Sequence, residues 1–297
     1  MSQHQSELTP AGRLRRLIES GTTIAAPGAY DSFSARLVER AGFDAVYLTG
    51  LGATASRLGT PDLGLLSQTE MTEHARNMTR AVSIPVIADA DTGYGGPANT
   101  ERTVREHVQS GVAAIHLEDQ MLPKRCGQLG GLRLVDAEAH VRNLRCALDA
   151  RGSDDLLIIG RTDANGPLGT AEAVRRAKLY QDTGVDLVFV DGITKIREVE
   201  EVAAQVPGPK VVSIVDGNET TALTIRDLDE LGFSVVFYAV TALFTATRAV
   251  SDTLTALREH GAPGHGPASA SYAEFAEVVD LPAFEHLDHD YGNENRK

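Results

Sequence analysis

"AGFDAVYLTG", residues 41–50, sets a pattern that the chain repeats as "SGVAAIHLED" (110–119), "TGVDLVFVDG" (183–192) and "LGFSVVFYAV" (231–240). Each copy places a glycine (Gly42, Gly111, Gly184, Gly232) after a helical stretch and before a short β-branched apolar run. Glycine suits the first position past a helix because it takes the left-handed conformation without a Cβ penalty. The runs that follow are almost continuously apolar, as expected of strands covered on both faces. Four more such runs, at 23–26, 84–91, 156–162 and 211–215, lie between them. Amphipathic stretches at 68–82, 100–109, 137–150, 171–182 and 196–204 separate the runs. The sequence therefore predicts eight βα units in roughly 250 residues, the length and order of a (β/α)8 barrel of the TIM type. A doubly wound open sheet is the competing arrangement. Regular spacing and the lack of a dinucleotide fingerprint favour the barrel. One domain is expected over residues 1–297, with a short N-terminal extension and a helical C-terminal tail from about 262, after "GAPGHGPASAS".

The 297 residues are 42% hydrophobic and 23% charged, an ordinary globular balance, with a net charge of −13. That sign disfavours nucleic acid and anionic membranes as partners. No apolar run is long enough to span a bilayer. The start, "MSQHQSELTP", lacks the pattern of an export signal. Two cysteines, Cys126 and Cys146, then suggest a reducing cytoplasm and no disulfide framework.

In such a barrel the C-terminal strand ends build the active site. Standing there are Tyr47, Thr49 and Gly50, then Asp89 and Asp91, then His116, Glu118 and Asp119. Arg161 and Asp163, Asp191, Ser213 with Asp216, and Tyr238 complete the rim. Asp89 and Asp91 are two apart and share a side of their strand, as do His116 and Glu118. Three acids facing one mouth call for a hard divalent cation, which oxygen ligands suit. Capping of helix termini, or pairing with nearby cations, is the structural alternative. Arg161 ends the apolar run "LLIIGR", where an unpaired charge would be costly. It serves either as an ion-pair partner of an acid such as Asp163 or as a fork for a substrate carboxylate or phosphonate.

Past the fourth strand runs "EDQMLPKRCGQLGG" (118–131). Its glycines and Pro123 predict a loop able to close over the site. Lys124 and Arg125 precede Cys126, and neighbouring cations favour thiolate. The cysteine is then a proton carrier or a nucleophile, against the alternative of a small inert side chain.

"DADTGYG" (89–95), "LEDQ" (117–120), "PKRCG" (123–127) and "GRTDA" (160–164), in this order, resemble the isocitrate lyase/phosphoenolpyruvate mutase superfamily. The likeness is strongest to its methylisocitrate lyase, dimethylmalate lyase and carboxyphosphonoenolpyruvate mutase group. It implies a barrel that binds Mg2+, or Mn2+ in its place. Asp89 would hold the metal most directly, with Asp62, Asp91 and Glu118 completing its surroundings. Tyr47, Thr49, Gly50 and Leu51 would meet the oxyacid end of a substrate, and Arg161 a carboxylate. Lys124, Arg125, Cys126, Gly127 and Gln128 would form the closing loop, with Cys126 as the acid that protonates the leaving carbanion. The resemblance also implies a homotetramer, a dimer of dimers, in which the eighth helix, Thr241–His260, is exchanged between neighbours.

Four positions depart from the group's pattern. Gln128 stands where a histidine is usual, and Leu132 follows Gly131 in place of lysine, with Arg133 next to it. Asp191 in "FVDG" replaces a glutamate, and Ser213 in "SIVDG" an asparagine. These are substrate-facing or loop positions, so they bear on which substrate is taken and leave the metal site alone. The leading expectation is a Mg2+-dependent carbon–carbon lyase acting on a substituted malate-like 2-hydroxy acid. A phosphonate enzyme of the mutase or hydrolase type, and an oxoacid-binding barrel without turnover, are the alternatives.

Overall fold

The computed structural model describes residues 8–292; the first and last residues of the expected 1–297 domain lie outside them. Eight parallel strands form a closed barrel in sequence order. They are β1 (Ile24–Ala29), β2 (Val46–Leu48), β3 (Val86–Asp89), β4 (Ala114–Glu118), β5 (Leu157–Thr162), β6 (Leu187–Val190), β7 (Lys210–Ser213) and β8 (Val235–Tyr238). β8 returns to β1, Ile24 opposite Val235, so the sheet has no free edge. The expected (β/α)8 architecture is present. All four glycines of the repeated pattern are left-handed, with φ of 87°, 82°, 92° and 75° at Gly42, Gly111, Gly184 and Gly232.

Strand alternation sorts the apolar residues into two cores. Ala26, Tyr47, Ile87, Ala114, Ile159, Phe189, Val211 and Phe237 point inward and pack together. The residues between them, such as Val46, Leu48, Ala88, Ile115, Ile158, Val188 and Val236, face the surrounding helices. This is why the runs read as continuously apolar: each face has its own cover. Tyr47 stacks on Phe237 with ring centroids 4.0 Å apart, and Phe189 meets Phe237 edge-on at 5.5 Å. These rings floor the upper barrel. The helix Pro10–Glu19 adds Ala11 and Leu14 to the same inner cluster and closes the opposite end.

The expected helices are found at Gln68–Ala81, Pro97–Ser110, Ala137–Arg151, Thr170–Gln181 and Ile196–Gln205. The run expected at 84–91 is shorter than its hydrophobicity suggests. β3 stops at Asp89, and Asp91 is left-handed at φ 48°. The two aspartates therefore approach each other through a turn and not along one strand face. The last barrel helix, Thr241–His260, has no buried residue over 20 positions. Its Phe244, Val250, Leu254 and Leu257 are exposed. Two further helices, Tyr272–Val278 and Leu281–Tyr291, form the C-terminal appendage. Among the described residues no helix is long and apolar enough to cross a membrane.

Candidate active site

Two residues beyond each inward apolar position, the strands change chemistry. The inward parity of Ile87, Ala114, Ile159, Phe189 and Val211 continues into Asp89, His116 with Glu118, Arg161, Asp191 and Ser213. The pairing register sets Asp89 beside His116 and Glu118 beside Arg161. A cavity of about 90 Å³ opens above the aromatic floor. Of the residues singled out in the sequence, Tyr47, Thr49, Leu51, Asp62, Asp89, Lys124, Cys126, Gly127, Gln128, Arg161, Asp191 and Ser213 line it. Gly50 lies just behind, donating its N–H to Asp89 Oδ2 at 3.2 Å. Asp91 and Glu118 sit deeper, buried at 5% and 1% exposure.

The cations are paired within this group. Lys124 Nζ lies 2.8 Å from Asp62 Oδ2 and 2.5 Å from Asp91 Oδ1. Arg161 Nη2 lies 2.5 Å from Asp191 Oδ2, 2.9 Å from Asp163 Oδ1 and 3.3 Å from Glu118 Oε2. Arg161 thus makes the ion pair that is one of its two readings from the sequence. Burial works against both charges, but the surrounding carboxylates outweigh it and hold both cations protonated.

The carboxylates respond in opposite ways. Burial raises Asp89, but His116, Lys124 and Arg161 outweigh it and keep the group well below the usual carboxylate range. Burial, with the charges of Asp89 and Asp62, lifts Asp91 to about 6 against the pull of Lys124. Burial raises Glu118 as well, and neither of its oxygens has a hydrogen-bond partner. His116 is pushed down to about 4 by burial and is neutral near pH 7; its Nε2 is 3.0 Å from the Tyr47 hydroxyl. Among the described residues no three acids or imidazoles converge closely enough to ligate an ion as they stand. The donor set nevertheless suits a hard cation. Asp89 is held ionised by its surroundings, and Glu118 is a buried carboxyl near Arg161 whose oxygens lack a hydrogen-bond partner, which a water or a cation would supply.

The loop after β4 corrects two expectations. Lys124 is turned toward Asp62 and Asp91 and not toward the thiol. Arg125 is exposed, its Nη1 donates to the Gly130 carbonyl at 2.9 Å, and it does not line the cavity. Adjacent position in sequence therefore brings neither cation to Cys126. Burial instead pushes the Cys126 thiol up to about 12, with Asp191 and Asp62 adding to the rise. Burial thus favours the protonated thiol over the thiolate that its neighbours in sequence suggest.

The loop is tied to the barrel by Gln120, whose role "LEDQ" alone does not disclose. Its Nε2 donates to the Arg125 carbonyl at 2.8 Å and to Asp163 Oδ2 at 3.1 Å, while Oε1 accepts from the Arg125 N–H at 3.0 Å. Cys126 N–H donates to the Asp62 carbonyl at 3.1 Å. A Cβ on Gly127 would lie 2.5 Å from Asp191 Oδ2 and 2.9 Å from Arg161 Nη2, so any larger residue there would force this ion pair to shift. Sequence reading also misses the apolar wall, Phe189, Val215, Ala239, Val240 and Phe244. The period-2 parity marks Phe189. Phe244 belongs to the first turn of the following helix, and nothing local marks it.

The model of the family described as phosphoenolpyruvate phosphomutase matches residues 14–258. The 2,3-dimethylmalate lyase of Eubacterium barkeri is 37% identical over 285 residues, covering 96% of this chain and 99% of the relative. The structure of oxaloacetate acetylhydrolase with 3,3-difluorooxalacetate superposes with a TM-score of 0.91 at 34% identity, covering 97% of this chain and 98% of that one. Phosphonopyruvate hydrolase in complex with oxalate and Mg++ superposes with a TM-score of 0.87 at 29% identity, over 96% and 100%. The chain belongs to the phosphoenolpyruvate mutase/isocitrate lyase superfamily.

Proposed function

We propose that the protein is a divalent-metal-dependent carbon–carbon lyase that splits a substituted malate-like 2-hydroxy acid into a 2-oxo acid and a simple carboxylate, or joins them in reverse. The observation that carries this is one small cavity lined by inward acids on one side and by the half-buried Cys126 thiol of the loop on the other. Mg2+, or Mn2+, would be held by Asp89 with Asp62, Asp91 and Glu118 around it, and when bound supplies a Lewis acid that eases loss of the hydroxyl proton. Tyr47, Thr49, Gly50 and Leu51 position the oxyacid end. As the C2–C3 bond breaks, its electron pair moves to C3 and is shared with the carboxylate there. Cys126 delivers a proton to C3, and the hydroxyl proton lost at C2 balances it. The loop and the apolar wall exclude water, which would otherwise compete as the acid. The related dimethylmalate lyase supports the same bond change.

A phosphonate reading fits less well. A transferred phosphoryl group needs unpaired cations to meet its charge. Both cations at this cavity are already engaged by carboxylates. The test is incubation with Mg2+ and a panel of 2-substituted malates and phosphonopyruvate, with products read by NMR. A 2-oxo acid plus a carboxylate is the expected result. Phosphate release, or saturable binding with no product across the panel, would overturn the lyase reading.

The assembly proposed with it is a homotetramer in which Thr241–His260 docks on a neighbouring subunit. A 20-residue helix without a buried position, bearing four exposed apolar side chains, supports that. Light scattering at micromolar concentration should give about four times 31.7 kDa. Leu254→Asp should shift the mass downward. A monomeric mass for the unaltered protein would rule the assembly out.

A further inference from the structure

Cys126 opens a tight turn, in which the Leu129 N–H donates to the Cys126 carbonyl at 2.9 Å and Gly127 and Gln128 take the corner. Little packs the tip of the loop in place. A Cβ on Gly130 would meet nothing within 4 Å, and Gly131 is left-handed at φ 80°. A hollow of about 320 Å³ lies between residues 127–132 and Gly166, Pro167, Gly192 and Thr194. Hydrogen bonds from outside the turn therefore set where the thiol stands. On the stem side Gln120 holds Arg125, and the Asp62 carbonyl accepts the Cys126 N–H. On the far side the Gln128 side chain meets Asn218, whose Nδ2 donates to Gln128 Oε1 at 3.0 Å. Asn218 belongs to another βα unit, in the turn after β7, and is well anchored there. Its N–H donates to the Val215 carbonyl at 3.1 Å, and its carbonyl accepts from Thr221 Oγ1 at 2.8 Å. It immediately precedes the short 3₁₀ helix Glu219–Ala222. Asparagine before a helix usually turns its side chain onto the first N–H groups. Here it makes no such bond and reaches out to Gln128.

We propose that Asn218 is a positioning residue for the acid: through the Gln128 amide it holds the turn that carries Cys126 over the cavity. This rests on the reading of Cys126 as the proton donor. Asn218 is not part of the cavity lining, although Val215, three residues earlier, is. Its effect on the reaction therefore passes through Gln128. That residue lies beside the thiol: after burial, the largest influence on Cys126 is the Gln128 backbone N–H, which favours the charged form. A shift of Gln128 thus moves the proton donor with it. Without the amide pair, the glycines of the tip let the turn swing away from the cavity and expose the thiol. The departure at Gln128 then has a partner, and the two amides act as one device.

Alkylation of Cys126 by iodoacetamide at pH 8, in a Cys146→Ser background, reads the loop without any substrate. Losing one hydrogen bond of this kind changes an opening equilibrium by about two- to tenfold. Asn218→Ala should speed alkylation by that factor, and Gln128→Ala by a similar one. The double variant should be no faster than either single variant, because both remove the same bond. Asn218→Asp keeps the size and an acceptor for the Gln128 amide once that group turns over, so its rate should stay within about twofold of the unaltered one. With substrate, Asn218→Ala should lower kcat by about two- to tenfold and leave KM nearly unchanged. Thermal melts should stay close throughout, which separates positioning from loss of fold. An unchanged alkylation rate in Asn218→Ala, single effects that multiply in the double variant, an aspartate variant as fast as the alanine one, or a rise in KM alone would each overturn the inference. The lyase reading fails on a different result, no turnover by the unaltered protein across the acid panel. The alkylation rates decide the role of Asn218 in either case.

Discussion

Cys126→Ser should lower turnover by a factor on the order of 10²–10⁴, the usual worth of a positioned acid or base. The thiol sits in the cavity lining with its proton held on by burial, up to about 12. Serine keeps the size and the loop contacts, since the Cys126 N–H bond to Asp62 is made by the backbone. A hydroxyl is a far weaker acid, so the loss should fall on kcat with little change in KM. The pH sign follows from the same burial. The acid form is needed, so turnover through the thiol is full below its pKa and falls only as pH rises toward 12. Alkylation by iodoacetamide should report the same state. Near pH 8 only about one part in ten thousand of a group at 12 is thiolate, so Cys126 should react far more slowly than a free thiol. Cys146→Ser removes the other thiol from that measurement. Equal turnover in Cys126→Ser would make the residue a bystander, and rapid alkylation at neutral pH would show a thiolate in place of the protonated acid.

Asp89→Asn should abolish metal-supported activity, with a loss of at least about a thousandfold, because the group that keeps its negative charge best at this site is gone. Asparagine is chosen because Asp89 also orders the backbone. Its Oδ1 accepts from the Asp91 N–H at 2.9 Å and its Oδ2 from the Gly50 N–H at 3.2 Å. Asparagine keeps an acceptor for one of these donors, whereas alanine would leave both buried and unpaired, at a cost of about 1–3 kcal/mol each, and so confuse stability with function. Calorimetric titration with Mn2+ and Mg2+ should show binding to the unaltered protein and none to Asp89→Asn, while the thermal melts stay close. Full activity of the unaltered protein after exhaustive EDTA treatment would remove the metal from the proposal altogether.

What the sequence determined is whatever depends on short-range periodicity. The apolar runs, the glycines at helix ends and the two-residue alternation of strands are local, and together they define eight βα units and place Asp89, Glu118, Arg161, Asp191 and Ser213 at one rim. The tertiary structure decided the partners. Lys124 lies two residues from Cys126 in the chain, yet its ammonium is held by Asp62, 62 residues away. Arg161 is claimed by acids from three different strand ends. Asp91 needed a left-handed turn that the apolar run gave no sign of. The cysteine's protonation reversed for the same reason. In sequence its neighbours are two cations, which favour the thiolate. In the folded barrel those cations point elsewhere and the thiol is desolvated, and the cost of burying a charge is set by three-dimensional surroundings that no local pattern encodes.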